Sequence, residues 1–277
     1  MPIQELPMTL PADEKLPLTS HLEELRKRLI HVFIALGIGF TLCYMFKDWL
    51  FFVVTRPLIA VMPKNSFMIF TSLPEAFFTY MKISFFSSLI LTSPYILYEI
   101  WKFVSPGLYP KEKRYVLPFV FFSTLLFAGG VLFGYFIALP PAFKFFVSFS
   151  SDFLKPMVSM REYLSLALKF LLAFGLCFEL PVFVFFLTKV GVINARMLSS
   201  QRRYAILIIF IVAAVLTPSP DAVSQILMAL PLMVLYEVSI LVSRLAGRKR
   251  RGTLEETGNE IDRKEEEEDI PETPKAE

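Results

Sequence analysis

Two adjacent glutamates, Glu23 and Glu24, stand inside the run HLEELRKR (residues 21–28), directly before the first long apolar stretch. Arg26, Lys27 and Arg28 are what a membrane helix carries on its cytoplasmic flank, but nothing in that rule asks for acids. A carboxylate at such a border can grip a guanidinium through two parallel hydrogen bonds, a fork that lysine cannot reproduce. The same acids can equally serve their own helix, Glu23 pairing with Lys27 and Glu24 with Arg28 at i,i+4 spacing. Both readings stand at this point. A further acid, Glu112, lies amid the cations of PKEKR (residues 110–114). Carboxylates from two separate segments can be placed independently, and together they could hold a cationic ligand.

A third acid sits where none is cheap. Glu179, in FGLCFELP (residues 174–181), lies well inside an apolar stretch. A charged carboxylate near a bilayer centre costs about 2.5–3.5 kcal/mol on insertion scales. Pro181 has no N–H to offer the carbonyl of Cys177, which is therefore expected to stand free. A carboxyl and an open carbonyl within one turn make a polar spot at membrane depth. It serves either a hydrated path or a structural pairing with another helix. Glu99 and Glu237 lie nearer the ends of apolar stretches and are expected to reach the interface or an internal partner.

Other chemistry finds little support. The chain has two histidines, His21 and His31, both near one end of one stretch, too few for a haem held between helices. It has no glycine-rich phosphate loop and no His-Glu-x-x-His. Cys43 and Cys177 lie in apolar runs and read as small buried hydrophobes, not zinc or redox ligands. No catalytic set, cofactor or metal site is expected. The net charge of +3 comes with basic residues scattered in short clusters, which gives no case for nucleic acid.

The elements that must carry these residues are apolar spans. Of 277 residues, 55% are hydrophobic and 30 are Phe, gathered into long runs, so the chain reads as an integral membrane protein. Six segments appear: Leu29 to Phe46, Ala76 to Trp101, Tyr115 to Leu139, Leu164 to Leu187, Tyr204 to Thr217, and Ala222 to Val242. A hydrocarbon core of about 30 Å takes about 20 helical residues. The fifth segment reaches only about 21 Å at the helical rise, and PSPD after it leaves little room to extend. The short pair must thin the bilayer or be shielded by protein. Basic residues are dense before the first span, in the second and fourth loops, and in RKRR (residues 248–251). The first and third loops are sparse and the fifth has none, which places both termini in the cytoplasm. Residues 1–17 read as a cytoplasmic segment, 18–247 as the membrane domain, and 248–277 as a disordered acidic tail. The first twenty residues lack the plan of a cleavable signal peptide, so the N-terminus is expected to be retained. On the entering helix Leu22, Leu25 and Leu29 share one side, suited to lipid headgroups.

HLEELRKR, FVSPGLYPKEKR (residues 103–114), FGLCFELP and LTPSPDAVSQ (residues 216–225) together resemble the TatC subunit of the twin-arginine protein translocase. The likeness runs from about Leu18 to Arg244. It implies an all-α receptor of six transmembrane helices in the bacterial cytoplasmic (inner) membrane, with a concave lipid-facing surface and short fifth and sixth helices. Such a receptor recognises the paired arginines in signal peptides of folded precursors. With single-span TatA- and TatB-type subunits, and further copies of itself, it moves those precursors across the membrane on the proton motive force. By the same resemblance Glu24, Glu112 and Phe103 contact the signal peptide, and Glu179 is the intramembrane polar residue. Thr217 and Gln225 match a partner-docking edge on the last two spans, and Asp221 the acid of the turn between them. Glu23 matches no conserved role. Two other readings stay open: a proton-coupled secondary transporter of a small solute, using Glu179, and a structural subunit of a respiratory complex.

Overall fold

The structure is a computed structural model that describes residues 18–62, 68–104, 116–150, 157–216, 222 and 225–246. Helix α1 (Leu18–Met45) is followed by α2 (Lys47–Ile59), a two-residue strand β1 (Met68–Ile69), and α3 (Glu75–Val104). Then come α4 (Val116–Phe133), a wide π turn over Gly134–Ala138, and α5 (Leu139–Val147). Strand β2 (Val158–Ser159) leads into α6 (Met160–Phe178), α7 (Leu180–Val190), α8 (Ala195–Ser200) and α9 (Arg202–Leu216). The last described helix, α10, is Gln225–Ala246.

Five of these helical segments are long and apolar enough to cross a membrane: Ser20–Met45, Glu75–Val104, Leu117–Val147, Met160–Val190 and Gln225–Ala246. Each of the first four is longer than the apolar stretch from which it was expected, the first mainly through polar residues before Leu29 and the third through the largely apolar PPAFKFFV after Leu139. The expected short fifth span is α9, whose 15 residues reach about 22 Å. The sixth is not short. It was expected to stop at Val242, but α10 continues to Ala246, because Ser243 is buried and shares a 2.8 Å hydrogen bond with Thr188 of α7.

Burial identifies the centre of the bundle. Half of the apolar window of Met160–Val190 is buried, against 11% of that of Ser20–Met45. Leu164, Ala167, Leu168, Phe170, Leu171 and Phe174 of α6 supply the core, with Ile83 from α3, Leu139 from α5 and Met228 and Leu232 from α10. Leu22, Leu25, Phe33, Ile34 and Ile38 of α1 lie on the outside, which lipid tolerates and water does not.

Helices that gain little hydrophobic drive in lipid come together where side chains are small. Ser88 of α3 donates to the carbonyl of Leu36 on α1 at 3.0 Å, beneath Gly39, where an added methyl would lie 2.8 Å from Thr92. At Gly130 on α4 a methyl would come within 2.5 Å of the Phe174 carbonyl of α6. Prolines create the opposite problem, a carbonyl without its donor. Pro57 leaves the Val53 carbonyl open, and the Tyr135 hydroxyl donates to it at 2.7 Å. Pro94 leaves Ile90, which receives the Ser93 hydroxyl at 2.8 Å. Pro140 and Pro141 withdraw the donors that Phe136 and Ile137 would meet, and the chain widens there into the π turn.

At one end β1 pairs in parallel with β2, joining the first and third loops. Glu75, buried at the start of α3, ties this end together. One carboxylate oxygen accepts from the Thr71 amide at 2.7 Å and its hydroxyl at 2.9 Å. The other accepts from the Ser159 hydroxyl and the Arg161 amide, both at 3.1 Å. An acid is favoured at a helix N-terminus, and this one serves two, since Arg161 opens α6.

Candidate functional site

At the opposite end from Glu75, the start of α1 meets the end of α3. Positions 21, 24 and 28 repeat at helical spacing, as do 95, 99 and 103, so two single-sided rows face each other. Arg28 lies between them. Its Nη1 donates to Glu99 Oε2 at 2.9 Å, and its Nε donates to Glu24 Oε1 at 3.1 Å. Nη2 also bonds that same Glu24 oxygen. The second oxygen, Oε2, faces His21 Nδ1 at 3.8 Å. The imidazole of His21 stacks on Phe103, centroids 4.3 Å apart and planes 13° from parallel.

Exposure grades across the cluster. The side chains of Glu99 and Arg28 are 7% and 14% exposed, and that of Glu24 is 28% exposed. The Glu99–Arg28 pair is thus inside, where losing one partner strands the other at a cost of about 3–5 kcal/mol. Glu24 opens towards the surface. Two carboxylates share one guanidinium, so the three groups carry a net charge of about −1 when ionised and can accept another cation. Glu23, one residue away, pairs with Lys27 at 2.9 Å with both side chains mostly exposed, a contact that contributes little.

Both i,i+4 pairs expected from the sequence therefore form. Glu24 and Phe103 are brought to one place, with His21 between them. Glu112 lies outside the described residues, as do the cations around it. The cation that occupies Glu24 is Arg28, while Arg26 is exposed and Arg114 is outside the described residues. Sequence reasoning missed the Arg28–Glu99 contact and His21. The signal available was the matching spacing of charged and aromatic residues on two helix faces, 24 and 28 against 95, 99 and 103.

Glu179 occupies the break between α6 and α7. The Ser123 hydroxyl of α4 is a hydrogen-bond partner of its carboxyl. Ser123 in turn accepts from Trp101 Nε1 of α3 at 3.1 Å, and Trp101 stacks on Phe119 at 5.0 Å. The other carboxyl oxygen, Oε1, is buried with no hydrogen-bond partner among the described residues. The carbonyl of Cys177, expected to be free, is not. The chain tightens at Glu179 and backbone N–H groups there turn to the carbonyls of Leu176 and Cys177. A tight last turn restores what Pro181 removes.

On α10, Gln225 is turned inward: its side-chain N–H donates to the Phe210 carbonyl of α9 at 2.9 Å. Thr217 and Asp221 lie outside the described residues. Leu207, Ile208, Ile211 and Val215 give α9 an exposed apolar face. Glu237, expected to reach the interface or an internal partner, pairs with Arg202 at 2.8 Å with both side chains exposed.

These features define a class, a polytopic all-helical membrane protein with an ionic cluster at one helix border and a lone carboxyl at membrane depth. The family model for the Sec-independent protein translocase protein TatC matches residues 20–231. The chain is 52% identical over 250 residues to the Sec-independent protein translocase protein TatC of Desulforapulum autotrophicum, covering 90% of this chain and 92% of that one. It is 43% identical over 243 residues to the protein of the same name from Magnetococcus marinus, covering 88% and 89%. A crystal structure of the twin-arginine translocase receptor TatC superposes with a TM-score of 0.74 at 41% identity, covering 82% of this chain and 99% of that one. The chain belongs to the TatC family, whose members are translocase components working in protein transport rather than catalysis.

Proposed function

We propose that this chain is the core receptor of a twin-arginine translocase and binds the Arg-Arg motif of signal peptides on folded precursors. The observation that carries this reading is the Glu24 cluster. A carboxylate already able to seat a guanidinium lies beside Phe103 at a helix border, with Glu99 leaving negative charge in excess. Glu112, from the second loop, is the second ligand carboxylate, one acid for each arginine. The loop charges put this end, and both termini, in the cytoplasm, with α9 making a sixth, short crossing of the inner membrane. The exposed apolar face of α9 docks single-span TatA- and TatB-type subunits, with Thr217 and Gln225 as the matching docking residues, and further copies of the chain complete the assembly. Because the Gln225 amide nitrogen is engaged by Phe210, a partner would meet its carbonyl oxygen. Glu179 draws water or headgroups into a concave face where the apolar part of the signal peptide inserts. Transport of the bound precursor is powered by the proton motive force.

Photocrosslinking to an Arg-Arg signal peptide tests the site. Glu24→Ala and Glu112→Ala are each expected to weaken crosslinking at least tenfold while the protein stays inserted. Unaltered crosslinking in both removes these residues from the site. One observation favours a second reading. The buried, unpartnered oxygen of Glu179 suits a proton-coupled transporter of a small solute. That reading requires solute-dependent protonation of Glu179 and indifference to Glu24, which infrared difference spectra on wild-type and Glu24→Ala protein would separate.

A further inference from the structure

We propose that Arg28 is an internal stand-in for the ligand's arginine, and that Glu99 holds it when the ligand displaces it from Glu24. The pair then determines how strictly the site demands a guanidinium. This rests on Glu24 being a ligand carboxylate.

The geometry separates the two halves of the Arg28 fork. Nε and Nη2 sit on a single oxygen of Glu24, while Nη1 sits on Glu99 at 2.9 Å. Breaking the first set leaves the second intact, so Arg28 need not be expelled to release Glu24. The order of exposure runs the same way: the Glu99 side is closed and the Glu24 side is open. Glu24 Oε2, with His21 at 3.8 Å, is the atom an incoming cation meets first. Afterwards each guanidinium would own one carboxylate, which neutralises the excess charge.

Displacement sets a threshold. The incoming group must hold Glu24 better than a guanidinium already in place and already oriented. An arginine can match the fork and gain from the uncompensated charge. A lysine ammonium is more strongly hydrated and forms no fork, so it loses the exchange. Discrimination then arises from the competitor as well as from the carboxylate. A purely structural Arg28–Glu99 contact predicts something different, since disrupting it would weaken all peptides alike.

The experiment measures Kd for two labelled peptides, identical except for Arg-Arg or Lys-Lys, on the full chain in nanodiscs. The double variant R28Q/E99Q replaces the ion pair with a neutral one and leaves no lone buried charge. It should tighten Arg-Arg binding about fivefold and shrink the Arg-Arg to Lys-Lys ratio about tenfold, by about one charge-assisted hydrogen bond. Arg28→Lys, which keeps the charge on Glu99 but loses the fork, should move the ratio the same way by about threefold and serves if the double variant does not fold. An unchanged ratio in folded R28Q/E99Q or R28K overturns the proposal, as does equal weakening of both peptides. Glu24→Gln is the control. If it loses Arg-Arg binding while the ratio in the double variant holds, the stand-in role alone is wrong. If it binds like wild type, the ligand site itself is elsewhere and the proposal falls with it.

Discussion

Glu23 and Glu24 are neighbours in sequence and differ in everything that matters physically. Glu23 and Lys27 sit in solvent, where each is well hydrated and neither needs the other. Glu24 lies between His21 and a partly buried arginine. Glu23→Ala should therefore leave signal-peptide crosslinking within about twofold of wild type, in the assay where Glu24→Ala loses it. Glu179 is set apart by its surroundings. Ser123, itself held by Trp101, partners one side of the carboxyl, and its other oxygen has no partner among the described residues. Glu179→Ala is expected to lower precursor export in cells several-fold with the protein still inserted. Unchanged export would end the case for a polar site there.

At the scale of elements, contacts between helices depend on what is missing from a side chain. Gly130 lets α4 lie against the backbone of α6 at Phe174. Gly130→Ala should cost about 1–3 kcal/mol, read as a lower unfolding midpoint in detergent, because backbone cannot step aside as a side-chain tip can. Tyr135, Ser93 and the tight turn at Glu179 each answer a carbonyl opened by proline, so these helices bend without leaving polar groups bare to lipid. Helix α9 is a different case, since nothing among the described residues offsets its brevity. With 15 residues and an exposed apolar face, it leaves a mismatch that neighbouring protein or thinned lipid must absorb. Lengthening α9 by one turn of four leucines is expected to reduce co-purification of single-span partners by at least half. Full recovery would show that the short span is not what gathers them.

For the whole molecule, the two ends of the bundle are built for different tasks. One end is clamped by the β1–β2 pair and by Glu75, which satisfies amides from the first loop and from the start of α6. The other carries the open Glu24 cluster. A rigid end opposite a receptive one suits a scaffold that keeps its shape while a peptide docks. The orientation has a direct check. With Cys43 and Cys177 replaced, Ser199→Cys on α8 should react with an impermeant maleimide only from the cytoplasmic face. Met157→Cys, beside β2, should react only from the other. Labelling of both from the same side would overturn the proposed topology.

What the sequence determined by itself was whatever depends on local pattern. Apolar runs separated by charged loops dictated helices and membrane, since a hydrocarbon core accepts little else. The spacing of Glu23 with Lys27 and of Glu24 with Arg28 dictated both pairs, since four residues return a helix to the same face. The brevity of α9 was fixed by Arg202 and Arg203 at one end and prolines at the other. Tertiary structure alone decided the rest, because it depends on contacts between residues far apart in the chain. Arg28 meets Glu99 across 71 positions, and Glu75 meets Arg161 across 86. Neither partner has a local pattern that names the other. That α10 runs past Val242 was likewise hidden, since the Thr188 contact of the buried Ser243 lies 55 positions away. The fate of the Cys177 carbonyl before Pro181 depended on how tightly one turn closes at Glu179.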